Sequence, residues 1–311
     1  SRLTFRYKRH SFERATHDSM PENRILSHDL IEGCYARSGL LSDVQLLEDT
    51  PARYSVDMAR RHRWVRGDWQ LIGWLRRRLH ALPGAPRNPL SALSKLKLLD
   101  NLRRSLVPTA LIALAVLGWA RLPQPFMWTL RIVVIVGIVP FAAHVIGLAR
   151  APINWFTASP SPRRLLPLAL QLMQLVHTLA CLPTEAVATL DAIARTIWGM
   201  VRGRRLLAWV ASADIRAGHA AGTMAALRDN IRALWAGPTT AALIAALLAH
   251  ARPWALPAAA PLLLLWLLSP VVVWWADRPL APPRSELSAV QRKFLRRVAR
   301  RTWAFFETFV G

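Results

Sequence analysis

The sequence predicts a mainly α, polytopic membrane protein: a polar α/β head, then about four transmembrane helices with interfacial amphipathic helices beside them. Three observations predict it. Of 311 residues, 53% are hydrophobic, and the apolar runs are concentrated after residue 104. Residues 1–83 are instead polar, basic and moderately aromatic, as a water-facing head requires. Lys and Arg, 41 against 18 Asp and Glu, crowd the segments that flank the apolar runs, the placement expected where cationic loops stay on one side of a bilayer.

In the head, "ILSHDLIEGCYARSGL" sets Ile25, Leu26, Leu30, Ile31 and Cys34 at helical spacing and offers Gly39 as a stop. "DVQLLED" reads as a short strand before a loop at Pro51. Ser55 is an N-cap candidate for a helix running to about Leu79, with Gly67 as its weak point. "PGAPRNP" closes the head.

The membrane region is expected over 84–276. Leucines alternating with Lys95, Lys97, Arg103 and Arg104 predict an interfacial helix over 89–104. Residues 105–122 and 126–149 predict two spans joined by a tight turn at Pro123 and Pro125, the second of about the length a ~30 Å hydrocarbon core needs. Residues 165–182 carry Gln171, Gln174 and His177 on one helical face. That polarity favours an interfacial or re-entrant helix over a span. Thr184 reads as the cap of a further helix, and 202–235 as a basic amphipathic stretch. Two more spans are expected at 238–251 and 255–276, with Trp254, Trp266, Trp274 and Trp275 as an aromatic belt. The tail, 277–311, is again polar and basic and reads as a cytoplasmic linker. Cations in 87–104, 195–205 and 278–301 place the head, the middle segment and the tail in the cytoplasm.

The net charge of +23 suits nucleic acid, an anionic lipid surface or a phosphorylated substrate. No zinc-ligand spacing, RNP-type aromatic motif or basic zipper accompanies it, so nucleic acid is not expected as a partner. Cys34 and Cys181 form no disulfide framework and fit a reducing compartment. The chain opens on Ser1 with no signal-peptide pattern; it reads as the interior of a longer chain.

Two constellations could carry chemistry. Asp29 begins a helical pattern, with His28 before it and Glu32 after it. A carboxylate there could take a proton from a hydroxyl nucleophile, or simply complement the helix macrodipole. The second is "RRHRWVRGDWQ", residues 60–70. Arg63 could fork onto a diphosphate and Trp64 could stack on a sugar ring; equally, the run could be a basic collar on anionic lipid. His28, His62 and His177 show no metal-ligand spacing. A transporter would need ionisable residues inside the spans, where Arg131 and His144 are the candidates. A lipid-docked scaffold would need only the basic collar.

Taken in order, a candidate base, an R-W pair, an interfacial helix and then spans resemble the family 2-type processive glycosyltransferases, such as cellulose synthases. Asp29 stands where that group has the Asp of a T-E-D-type motif, its general base. Arg60 to Trp64 stand where it has Q-x-x-R-W, with Arg60 in place of the Gln. "ENRILSHDLIEGCYARSGLLSDVQLLE", "RRHRWVRGDWQ", "NPLSALSKLKLLDNLRRSLVP" and "ARRTWAFFETFV" are similar, more closely, to cyclic β-1,2-glucan synthases. The resemblance implies a partial GT-A-type head in a bacterial inner-membrane enzyme that transfers glucose from UDP-glucose, with inversion, to a growing glucan that it cyclises. It implies Asp29 as the base on the acceptor hydroxyl, Arg63 on the donor diphosphate and Trp64 in the acceptor site, with His28, Glu32 and Arg60 in support. It also implies a divalent metal, Mg or Mn, with ligands mostly upstream of this segment, and a phosphorylase-like domain downstream. The segment alone is expected to be inactive.

The enzyme and scaffold readings differ in one test. If Arg63 forks onto a diphosphate, Arg63→Lys lowers glucose transfer by about tenfold or more, because Lys cannot reproduce the two parallel bonds. Arg77→Lys leaves transfer unchanged. Equal tolerance at both positions, measured as incorporation of labelled glucose in membranes, would support the scaffold.

Overall fold

The computed structural model describes residues 14, 16, 20, 25–37, 53–79, 84, 87–149, 162–203, 223–278 and 287–309. The chain divides into two units, Ser1–Asp277 and Arg278–Gly311. In the first, the helices are α1 (Asp29–Ala36), α2 (Tyr54–Gln70), α3 (Ala92–Ala120), α4 (Pro125–Ala149) and α5 (Pro162–Arg202). They are followed by α6 (Thr223–Ala233), α7 (Ala236–Ala251), α8 (Leu256–Leu267) and α9 (Ser269–Ala276). The second unit holds α10 (Ala289–Phe309), so the tail expected as a linker is helical there. Among the described residues there is no strand. The one bridge outside helices pairs Arg78 with Arg87, so an α/β head does not emerge from them. "DVQLLED", Gly39 and the side chain of His144 lie outside the described residues.

Two helices, α3 and the Pro125–Ala143 part of α4, are long and apolar enough to cross a membrane. Two bent pairs raise the number to four if each is one span: Leu227–Ala233 with α7, and Pro253–Leu267 with α9. Their shared core is built from stripes at helical spacing: Leu111, Ala115 and Trp119 on α3, and Ala259, Leu262 and Trp266 on α8. Outside this core the helices expose Leu117, Val139 and Leu243, the last two 72% accessible. An apolar interior inside an apolar exterior is what a bilayer, rather than water, accommodates.

The interfacial helix and first span expected on either side of residue 104 are one continuous helix. Ser91 caps it by accepting from the Ser94 amide at 3.1 Å, and Pro108 lies inside it. Its far end is closed by Arg252, which donates to the carbonyls of Trp119 and Leu122 at 3.2 and 2.7 Å. The turn that follows carries Gln124 at φ 54, in the left-handed region.

α5 is likewise one helix of 41 residues, about 60 Å long. Segment 165–182 therefore does not stand apart, and Thr184 lies within the helix rather than at its start. The local signal misleads because Pro183 cannot donate to the Leu179 carbonyl. The indole of Trp266 donates to that carbonyl instead, at 2.9 Å. Trp266 is consequently fully buried, not part of a belt, whereas Trp254 and Trp275 are 61% and 55% exposed. α5 packs against α2, α3, α4, α7, α8 and α9 and is the central element of the unit.

α2 begins one residue before Ser55, with Arg53 as its N-cap and no side-chain bond from that residue. The cap is supplied from the far end of the unit: both Asp277 carboxylate oxygens accept from the Tyr54 amide, at 3.1 and 3.3 Å. The helix ends at Gln70, continues as a 3-10 turn over Leu71–Leu75, and stops short of Leu79. Asn88 ties the chain after this turn to the start of α3, donating to the carbonyls of Trp74 and Arg76.

Gly67 shows why α2 has a glycine at its middle. A Cβ there would lie 2.5 Å from Ser27 Cβ. One turn on, Gln70 Oε1 accepts from the Leu26 amide at 2.7 Å. The two residues hold the segment that leads into Asp29. In an unhindered helix Gly→Ala stabilises by about 1 kcal/mol; here the clash reverses the sign. Gly67→Ala is expected to destabilise by about 1–3 kcal/mol, read as a lowered melting temperature in detergent, and Ser27→Gly in the same chain recovers part of the loss.

Candidate functional site

The Ser27–Asp29 segment lies over α2, and α2 lies on α5 and α3. Between them is a cavity of about 520 Å³. Three helices line it, each with a stripe at i, i+3 and i+4. α2 contributes Arg61, Trp64, Val65 and, one turn on, Asp68. α3 contributes Asn101, Arg104, Ser105 and Pro108. α5 contributes Glu185, Ala188 and Thr189. Asp29 completes the wall from the head of α1.

The structure thus brings Asp29 and Trp64 to one cavity. Trp64 is 42% exposed, and Arg60 sits over its ring with the guanidinium carbon 4.7 Å from the centroid. Arg60 is itself held by Asp57 at 2.8 Å. Position 60 therefore steadies the indole through a cation–π contact, although it does not line the cavity. Arg63 is half-buried and is also absent from the lining. It lies one turn before Gly67, on the side of α2 that meets Ser27. His28 and Glu32 pair with each other across a turn at 3.7 Å and are likewise outside the lining.

The basic residues that do reach the cavity are Arg61, His62 and Arg104, which the motif reading did not select. Arg61 bridges two acids, Asp57 at 2.7 Å and Glu185 at 3.2 Å. His62 Nε2 lies 3.0 Å from Asp191 Oδ2, and Arg195 holds the same oxygen at 2.6 Å. These contacts fix the register of α2 on α5. Toward α3, the Trp69 indole donates to Ser105 Oγ at 2.9 Å and the Asn101 amide to Asp68 at 3.0 Å. Burial pushes the Glu185 carboxyl up from its ordinary range, opposed by the Arg61 charge. Burial pushes Asp68 up as well, opposed by the hydrogen bond from Asn101.

Beneath the cavity the α2–α5 contact remains polar. The Tyr54 ring meets His177 edge-on at 5.3 Å, and His177 Nε2 lies 3.7 Å from Cys181 Sγ. His177, read from sequence as a polar face of an interfacial helix, is thus turned toward α2. Gln171, six residues earlier, instead faces α4 and donates to the Pro140 carbonyl at 3.3 Å. Arg131, the other transporter candidate, packs over the Trp128 ring at 4.4 Å. Among the described residues no three His, Cys, Asp or Glu side chains gather to hold a metal.

No protein-family model matches the chain. It is similar to the cyclic beta-(1,2)-glucan synthase NdvB of Rhizobium meliloti (strain 1021), with 35% identity over 315 residues. The match covers 96% of this chain and 10% of that relative, so the chain spans about a tenth of the relative's length. The resemblance to cyclic β-1,2-glucan synthases seen in the sequence is therefore shown across nearly the whole segment.

The Arg61–Glu185 pair gives a test of the geometry independent of activity. Glu185 is 18% exposed and Arg61 51%, so the pair is only partly screened. Arg61→Met strands Glu185 and is expected to cost about 1–2 kcal/mol, below the range for fully buried pairs. Arg61→Met with Glu185→Gln recovers most of it. Additive losses in melting temperature would mean that the two residues do not interact.

Proposed function

We propose that this chain, as a relative of the cyclic β-1,2-glucan synthases, is the part of a membrane glycosyltransferase in which the acceptor glucan meets the catalytic base. The donor is UDP-glucose, the transfer inverts the sugar, and the product is a β-1,2-glucan that the full-length protein cyclises at a bacterial inner membrane. The observation that carries this reading is the cavity that Asp29 and Trp64 line together. A sugar ring stacked on Trp64 can present a hydroxyl to a carboxylate in the same cavity.

In the transfer step, the acceptor 2-hydroxyl oxygen forms the bond to glucose C1, and the bond from C1 to the UDP oxygen breaks. The hydroxyl proton passes to the Asp29 carboxylate, and UDP leaves with the electron pair. Arg63 holds the diphosphate, Trp64 stacks on the acceptor, and Arg60 keeps the indole in place. His28 and Glu32 stabilise the start of α1, which presents Asp29. The described residues form no ligand set for the divalent metal that the resemblance implies.

One further observation favours an enzyme over a lipid-docked scaffold. Arg61 and His62 are paired inward with Glu185 and Asp191 on α5, rather than spread as an interchangeable collar. The phosphorylase-like domain of the resemblance would act on the product of this site.

The test follows incorporation of labelled glucose from UDP-glucose by the full-length protein in isolated membranes. Asp29→Asn at equal protein level is expected to lower incorporation on the order of a hundredfold to ten-thousandfold, the contribution of a general base. Trp64→Ala loses roughly threefold to tenfold, and Trp64→Phe, which keeps an aromatic face, loses less. Incorporation unchanged in Asp29→Asn would remove Asp29 from the mechanism.

A further inference from the structure

The second unit carries a surface that the transfer reaction does not use. α10 has Leu287 just ahead of it and Val290, Phe294, Val298 and Phe305 along it, with Leu295 and Phe306 flanking this line. The spacing of three, four, four and seven places these side chains on one stripe. All are exposed: Val290 78%, Phe294 61%, Phe306 50%. The opposite face carries Arg292, Lys293, Arg296 and Arg300, with Arg297 at its edge, while Arg301, seven residues after Phe294, lies on the apolar stripe. Glu307 is the single acid of the helix, and it is engaged by the indole of Trp303.

We infer that α10 docks on the anionic phospholipid surface of a membrane, lying in its interface with the Phe294 face down and the arginine face toward the headgroups. Three features select this occupant. A stripe rich in Phe and Val opposite a face of Arg and Lys is the composition that binds at the headgroup–acyl boundary. A protein partner that covered the apolar stripe alone would leave the cationic face unmatched, whereas anionic lipid answers both faces at once. About ten residues of sequence separate Asp277, at the end of the last apolar helix, from Leu287. Fully extended they span at most about 35 Å, so a bilayer that holds the apolar helices is within reach. The tail is then a second, charge-dependent membrane contact.

The experiment uses the full-length protein carrying Cys34→Ser, with Phe294→Cys bearing an environment-sensitive fluorophore, in phosphatidylglycerol-rich or phosphatidylcholine vesicles. In the anionic vesicles the label is expected to be blue-shifted and quenched by a lipid-borne quencher, while a label at Arg296→Cys remains aqueous. The protection falls with added salt. Each cation near an anionic surface is worth on the order of fivefold in affinity, so Arg296→Gln, Arg297→Gln and Arg300→Gln together weaken docking on the order of a hundredfold. A label that is aqueous in both vesicles overturns the inference. So does one equally protected in both without lipid quenching, which assigns the stripe to a protein contact, or one protected only after RNA is added. The readout does not depend on glucose transfer, so its failure leaves the proposed reaction standing.

Discussion

Glu185 is the half-buried carboxyl around which the polar part of this chain is arranged. A carboxylate drawn into the contact between two helices has to be matched, and Arg61 matches it. That one requirement sets where α2 lies along α5. With Arg61 opposite Glu185, His62 meets Asp191, six residues further along α5. Trp64 and Asp68 then face α3, where Asn101 and Ser105 meet Asp68 and Trp69. The other side of α2 offers Gly67 and Gln70 to the segment before Asp29. The cavity is the space left between three helices whose registers are fixed in this way.

α5 can serve both the apolar core and this polar junction because its two halves differ. Up to Leu182 it belongs to the core; from Glu185 onward it presents acids to α2. The change falls at Pro183, where a helix would be expected to break. It continues because Trp266 supplies the hydrogen bond that proline withholds. Asp277 acts similarly at α2, capping from the end of the last apolar helix a helix whose own N-cap residue provides nothing. Head and membrane helices are thereby parts of one unit.

What could be read in the sequence was whatever depends on neighbours along the chain. The apolar runs, the turn at Pro123 to Pro125, and Asp29 at a helix start all follow from local pattern. What could not be read depends on partners far away. The boundary placed at residue 104 followed the loss of charge, but it cut through the Asn101, Arg104, Ser105 and Pro108 stripe that lines the cavity. The start placed at Thr184 hid Glu185 in the same way. Within "RRHRW" the motif points to Arg63 and Trp64, and helical spacing from Trp64 adds Arg61 and Asp68 as the residues that share its cavity. Trp266 was read as part of an interfacial belt because nothing nearby shows that the Leu179 carbonyl needs a donor. Within the tail the charge is conspicuous, and the apolar stripe of α10 appears only when the residues are wound onto a helix.

We propose that the acceptor end of a glucan is held between Trp64 and Asp29, where α2, α3 and α5 meet. The most direct measurement is a cryo-electron microscopy structure of the full-length protein in lipid with UDP and a short β-1,2-glucan bound. A sugar ring is expected against the Trp64 indole, with its 2-hydroxyl directed at the Asp29 carboxylate and Arg61 still paired with Glu185. A glucan bound elsewhere while this cavity holds only solvent would contradict it.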